Sequence, residues 1–168
     1  MALLALLAAV GLAWSGTSAA NAAWPYPDVP AGEYDIIALD SGWELMSYSH
    51  DDEEWYDSYD QVFQVTGGLI PADEIEGYDI TGGGVRNATD SAVTITIYLE
   101  TAPTGGSIAI VGDYYWRVSS SVSSAVIVPA FYHGHFDWSF SQPGDYEILV
   151  TAEDSSNYTE QFYLFTVS

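Results

Sequence analysis

The strongest constraint on the fold is a strict alternation of residue types in residues 92–100. Apolar side chains alternate there with threonine, tyrosine and glutamate, the apolar set being Val93, Ile95, Ile97 and Leu99. A period of two gives a β-strand one core face and one solvent face. From residue 32 onward no helical period is present, and short β-branched and aromatic runs recur between Gly, Asp, Ser and Pro. Further strands are predicted at residues 34–39, 42–48, 61–66, 107–111, 114–118, 125–128, 131–140, 145–152 and 160–167.

A Pro-Gly turn near the C-terminus narrows the fold class. Residues 142–150 read QPGDYEILV and resemble the penultimate strand of many extracellular Ig-like domains, in which a Pro-Gly turn precedes an inward aromatic residue. About ten short strands at this spacing favour a sandwich. The predicted fold class is mainly β, an Ig-like antiparallel β-sandwich preceded by one N-terminal hydrophobic α-helix.

The first 24 residues carry no charged side chain and allow two interpretations. An apolar run followed by Ala20-Asn21-Ala22 is typical of a secretory signal peptide that is cut before Ala23. If the segment is retained, a helix over residues 2–23 would be about 33 Å long and apolar nearly all round. Such a helix suits burial among neighbouring helices, which its Ala, Gly and Ser residues allow to approach closely.

The predicted domain organisation has three parts: residues 1–24 as the apolar helix or signal peptide, residues 25–31 as a Pro-rich hinge, and residues 32–168 as the acidic sandwich. This layout resembles an archaeal type IV pilin or a related filament subunit. The resemblance implies a helical homopolymer with the N-terminal helices packed in its core and the β domains outside. The residues that would pack in that core are Leu3, Leu4, Leu7, Val10, Leu12 and Trp14.

Charge and cysteine content exclude several classes of function. The chain has 24 acidic residues against two arginines and no lysine, a net charge of −22. Nucleic acids and anionic membranes are therefore unfavourable partners. The net charge of −22 suits either high salt, which screens the repulsion between carboxylates, or an acidic medium, which protonates them.

The chain contains no cysteine, so disulfides, thiolate nucleophiles and Cys-ligated zinc sites are excluded.

The sequence His133-Gly134-His135-Phe136-Asp137 is the sharpest candidate for a metal site. On a single strand, His133, His135 and Asp137 would project from one face. Two imidazoles and a carboxylate can bind zinc or copper, with a fourth ligand from elsewhere. The alternative is that the two histidines share a polar face or a subunit contact. A divalent cation at this site is the one cofactor predicted.

Residues 49–60 concentrate acidic side chains around three aromatic residues. Their spacing does not fit a calcium-binding EF-hand loop, so a solvated loop is expected. Trp55, Tyr56 and Tyr59 could stack on sugar rings or pack on the sheet or a neighbour.

Two Asn-x-Thr sequons begin at Asn87 and Asn157, each in an expected surface turn, and are candidate glycosylation sites.

No sequence signature of catalysis is present, so a non-enzymatic protein is expected. The primary functional hypothesis is a structural subunit of an extracellular, pilus-like surface appendage involved in adhesion. The alternative is a secreted, monomeric Ig-like module, an adhesin or carbohydrate-binding protein, whose signal peptide is cleaved. The partners expected are copies of the chain itself and surface carbohydrate.

Overall fold

A computed structural model describes residues 24–70 and 83–168, and these residues form a mainly β structure. One 3-10 turn, Ser58–Asp60, interrupts the described strands. The strands are β1 (Tyr34–Leu39), β2 (Leu45–Ser49), β3 (Glu54–Tyr56), β4 (Val62–Val65), β5 (Leu69–Ile70), β6 (Gly84–Asn87), β7 (Val93–Thr101), β8 (Ser107–Val111), β9 (Tyr115–Ser119), β10 (Ser124–Val128), β11 (Tyr132–His135), β12 (Asp137–Phe140), β13 (Gly144–Glu153) and β14 (Tyr158–Val167).

The strands form three sheets. Sheet A has the order β10-β7-β13-β14-β4, sheet B the order β11-β6-β1-β2-β3, and sheet C the order β5-β12-β8-β9. The longest pairing is the β13–β14 hairpin, in which ten residues of each strand are in register. Its turn is stabilised by Asp154, whose Oδ1 accepts hydrogen bonds from the backbone N–H groups of Ser156 and Asn157.

The core lies between sheet A on one side and sheets B and C on the other. Trp116 of β9 donates its indole N–H to the carbonyl of Ile95 in β7, at 3.3 Å. Trp138 of β12 packs against Phe165 of β14 with ring centroids 5.6 Å apart. Trp116, Trp138 and Phe165 are fully buried, and burying a large apolar side chain stabilises a fold by about 1.5–3 kcal/mol.

The predicted fold class is wrong in its details, although the described residues are mainly β. The three sheets are consistent with the predicted β-sandwich, but the sheets are not wholly antiparallel, because β1 pairs with β6 and β4 with β14 in parallel. Parallel pairing needs a long crossover connection, which a local hydrophobic pattern does not reveal. The described residues contain no α-helix. Residues 1–23, on which the predicted helix and its packing residues fall, lie outside the described part of the chain.

The stretch predicted as one strand over residues 131–140 is two strands in different sheets. Phe136 separates them: its side chain is fully buried and its N–H donates to the carbonyl of Gly83, at 3.1 Å. Strand β11 joins sheet B and β12 joins sheet C. This break places His133 and His135 in a different sheet from Asp137.

The proline-rich segment runs along the outer edge of β4. The N–H of Val29 donates to the carbonyl of Val62, at 2.8 Å, and the N–H of Val62 donates to the carbonyl of Pro27, at 3.0 Å. Residues 27–29 therefore cover this edge of sheet A.

Candidate metal centre

The centre of the candidate site is a carboxylate inside an otherwise apolar strand. β1 has the sequence YDIIAL with every residue buried, and Asp35 is 0% exposed. Its partner on the parallel strand β6 is Gly84. A Cβ atom at Gly84 would collide with Oδ1 of Asp35, so the absence of a side chain there makes room for the carboxylate.

Two of the three histidines of the chain contact this carboxylate, and the third, His135, lies beside them. His50 follows β2 directly, and its Nε2 lies 3.2 Å from Oδ2 of Asp35. His133 on β11 approaches from the other side, with its Nε2 2.9 Å from Oδ1. The rings of His135 and His133 lie 4.8 Å apart between centroids, and those of His135 and His50 lie 6.5 Å apart. One ligand atom each from Asp35, His50 and His133 lies within 4.8 Å of the other two.

The Asp35 carboxylate has three cationic or imidazole neighbours but no well-aligned hydrogen bond. His133 is close enough to Oδ1 to donate one when its Nε2 carries the proton, yet neither carboxylate oxygen nor the Nε2 of His50 has an aligned partner among the described residues. Burying a carboxylate carries a large desolvation cost, and native structures leave few such groups unsatisfied. Two imidazole nitrogens facing this carboxylate are an arrangement that a bound cation would satisfy.

The environment of His133 favours its neutral form. Burial lowers the pKa of His133; nearby Asp35 acts in the opposite direction, and His135 and His50 lower the pKa further. A neutral imidazole is the form that coordinates a metal. The pKa direction therefore agrees with the ligand geometry.

The rim of the site combines a cation with aromatic rings. The guanidinium carbon of Arg86 lies 4.4 Å from the ring centroid of Tyr48 and 5.5 Å from that of Trp55. Its Nη1 is 3.8 Å from Oδ2 of Asp35, too long for a hydrogen bond. Oε1 of Glu33 is 3.9 Å from Nε2 of His50. One of the two arginines of a chain with 24 acidic residues is thus placed here.

Of the three ligands predicted from sequence, the structure places only His133 in the cluster of candidate ligand atoms. His135 lies beside His133 on β11 but outside that cluster, and Asp137 begins β12 in another sheet. Sequence reasoning missed Asp35 and His50. The signal that could have identified Asp35 is its position in YDIIAL, since an acid within an apolar run is rarely buried without a partner.

The acidic run is partly structured. Residues 54–56 form β3, which pairs with β2, and the Trp55 ring lies 5.0 Å from that of Tyr48. Asp57 caps the 3-10 turn by accepting from the N–H of Tyr59. The expectation of an unstructured solvated loop is therefore met only for residues 51–53, which are exposed.

The two sequons differ in accessibility. Asn87 is 1% exposed, and its Nδ2 donates to the carbonyls of Ser91 and Pro129, at 2.9 and 2.8 Å. The expected surface turn is therefore not found there, because this side chain stabilises the loops around it. Asn157 is exposed in the β13–β14 turn, where a glycan on its Nδ2 would extend into solvent.

Comparisons with protein-family models, with curated protein sequences and with solved structures find no match. In the described ranges, 24–70 and 83–168, no helix has the length and apolar character that crossing a membrane requires.

Proposed function

We propose that this domain binds a divalent transition-metal ion, zinc or copper(II), through Asp35, His50 and His133, with the fourth position open to water or to the neighbouring His135 after a change of its side-chain rotamer. The observation that carries the proposal is the Asp35 carboxylate, which is fully buried, has no well-aligned hydrogen bond and faces two imidazole nitrogens at 2.9 and 3.2 Å. Imidazole nitrogen and carboxylate oxygen are ligands that both metals accept.

The spacing of the ligand atoms suits a small tetrahedral ion. Zinc bonds of about 2.0–2.2 Å put neighbouring ligand atoms about 3.3–3.5 Å apart. The two closest nitrogen–oxygen distances, 2.9 and 3.2 Å, lie slightly below that spacing. Small side-chain rotations of His50 and His133 would open the cluster around an ion without movement of the strands.

The ion would act as a structural clip. Its ligands come from β1, from the residue after β2 and from β11, so one ion would tie positions 35, 50 and 133 together. A chain without cysteine has no disulfide for this purpose. An ion that binds only the folded state at 100 times its dissociation constant stabilises that state by about 2.7 kcal/mol.

Calorimetric titration of chelator-treated protein with zinc sulfate and copper(II) sulfate tests the proposal. We expect one ion per chain, and at least a tenfold loss of affinity in His133→Ala and in Asp35→Asn. The control is Asp90→Asn, which removes the same charge at an exposed site. Circular dichroism of each variant separates lost ligands from lost folding. Equal affinities in the wild type and in a folded His133→Ala variant would contradict the proposal.

The roles predicted from sequence, an extracellular filament subunit or a secreted carbohydrate-binding module, remain hypotheses. A structural metal site is compatible with either role. The two hypotheses are distinguished by N-terminal sequencing of the native protein, since a start at Ala23 or Trp24 would contradict the filament.

A further inference from the structure

The two edges of sheet A differ in how they are covered. At one edge, residues 27–29 hydrogen-bond to β4. At the other edge lies β10, which pairs with β7 and has no second neighbour in sheet A among the described residues. An exposed edge strand presents a row of backbone donors and acceptors that can pair with another strand.

The edge at β10 lacks the features that normally prevent such pairing. Its sequence, SAVIV, contains no charged residue and no proline. Ile127 is 67% exposed on its outer face. Native edge strands usually carry lysine, an inward charge, a proline or a bulge at such positions, and β10 has none of them.

The sequence around β10 contains no carboxylate, and two acidic residues of the β13–β14 hairpin, Glu153 and Asp154, line a pocket with Ile127 on the outer face of sheet A. Residues 114–136, which span β9, β10 and β11, contain no aspartate or glutamate, although the chain has 24 of them. Val122 and Phe131, on either side of β10, are 53% and 73% exposed. Phe131 also has a left-handed backbone with φ of 53°, a conformation that costs free energy for a bulky residue.

We propose that β10 is a self-association surface, on which β10 of a second copy pairs antiparallel and extends sheet A across the two molecules. Each copy carries −22, so close approach is least unfavourable where the segments that come into contact carry no carboxylate of their own, and Glu153 and Asp154 lie on the side of Ile127 away from the open edge, beyond β7. A two-fold axis through the centre of β10 brings together two identical carboxylate-free segments, as a two-fold symmetric interface requires. This inference is independent of the metal centre.

Cysteine cross-linking tests the pairing directly, because the natural chain has no cysteine. Single variants Ala125→Cys, Val126→Cys and Ile127→Cys are oxidised in air at 1 M NaCl and separated on a non-reducing gel. An axis through Val126 places that residue opposite its own copy, at a Cα separation of about 4.5–5.5 Å, which a disulfide can span. We expect a covalent dimer of twice 18.2 kDa, strongest for Val126→Cys. The control is Val111→Cys, at an exposed apolar position of β8.

Sedimentation velocity of the full chain provides a second measurement. We expect a reversible dimer that strengthens with salt, and at least a tenfold weaker association in Ile127→Glu. The matched control is Val111→Glu, which adds the same charge on β8 and leaves association unchanged. A monomer at every salt and protein concentration would overturn the proposal. So would association that survives Ile127→Glu without cross-linking at β10, since a different surface would then be responsible.

Discussion

At the scale of single residues, the Asp35 carboxylate determines which neighbours the site can accept. Its oxygens are fully buried, and Gly84 lies beside it on the adjacent parallel strand. Because any Cβ at Gly84 would collide with Oδ1, we infer that glycine is needed here for space and not for an unusual backbone conformation.

We therefore expect Gly84→Ala to destabilise the fold by about 1–3 kcal/mol, the usual cost of overpacking a buried position, and to weaken metal binding by rotating the carboxylate. Urea denaturation and zinc titration measure the two effects. The control is Gly32→Ala, whose Cβ would lie 2.5 Å from Oδ2 of the exposed Asp51, a side chain that can move away. Equal stability of the two variants would show that the Asp35 pocket is not tightly packed.

The candidate ligands differ in how far the sequence predicts them. The His133 and His135 pair follows from the period of two within a single strand, and the structure places both on β11. Asp35 and His50 join them because β1 lies between β6 and β2 in sheet B while β11 lies on the far side of β6. No local pattern encodes that order. Asp137, by contrast, was predicted as a ligand from the period of two but does not reach the site, because the chain breaks at the buried Phe136 and Asp137 belongs to another sheet.

At the scale of elements, Tyr163 links sheets A and B. It lies on β14, is fully buried, and donates its hydroxyl hydrogen to the carbonyl of Met46 in β2, at 3.0 Å. Burial raises the pKa of the Tyr163 phenol above its ordinary value of 10.0, although a hydrogen bond with Ser58 opposes the increase. The folded state thus retains a proton that the unfolded chain releases above pH 10.

This retention makes stability depend on pH in a defined direction. Below pH 10 the Tyr163 phenol is protonated in both the folded and the unfolded state, so its full contribution to folding stability is present. As pH rises above 10, stability falls by up to about 1.4 kcal/mol per pH unit. We expect Tyr163→Phe to cost about 0.5–1.5 kcal/mol at neutral pH and to reduce the loss between pH 10 and 11. Urea denaturation at each pH measures both, with Tyr115→Phe, at a 53% exposed position, as the control. An unchanged alkaline slope in Tyr163→Phe would contradict this assignment.

Strand positions were largely predictable from the sequence because alternation and turn residues act locally. β1 and β8 have the predicted bounds, and β7 and β13 shift by one residue at their ends. β3, β5 and β6 were missed, since each is short and β3 lies within the acidic run. Sheet order and the parallel pairs depend on contacts between distant residues, so the sequence did not predict them, and its expectation of a purely antiparallel sandwich was wrong.

At the scale of the whole molecule, charge repulsion opposes the packing that the core provides. The net charge is −22, and apart from the buried Asp35 the carboxylates of the described residues are exposed or partly exposed. Salt shortens the range of their repulsion from about 30 Å at 0.01 M to about 3 Å at 1 M. We therefore infer that this fold is most stable at high ionic strength.

Calorimetry in sodium chloride tests this inference. We expect the Tm to rise by several degrees between 0.01 and 1 M, since about 1 kcal/mol corresponds to about 2–4 °C in a domain of this size. A variant in which the exposed Glu53, Glu100 and Glu153 are replaced by glutamine should show a smaller increase. A Tm that is insensitive to salt would mean that bound cations already neutralise the surface. Chelator treatment before the scan controls for the metal centre.

The parallel pairing of β4 with β14 has a consequence for synthesis on the ribosome. Sheet A gains β14 only when residues 158–167 have been synthesised, long after β4. Until then β4 lacks its parallel partner, and Phe63 lacks the stacked ring of Phe165 that covers it in the folded state.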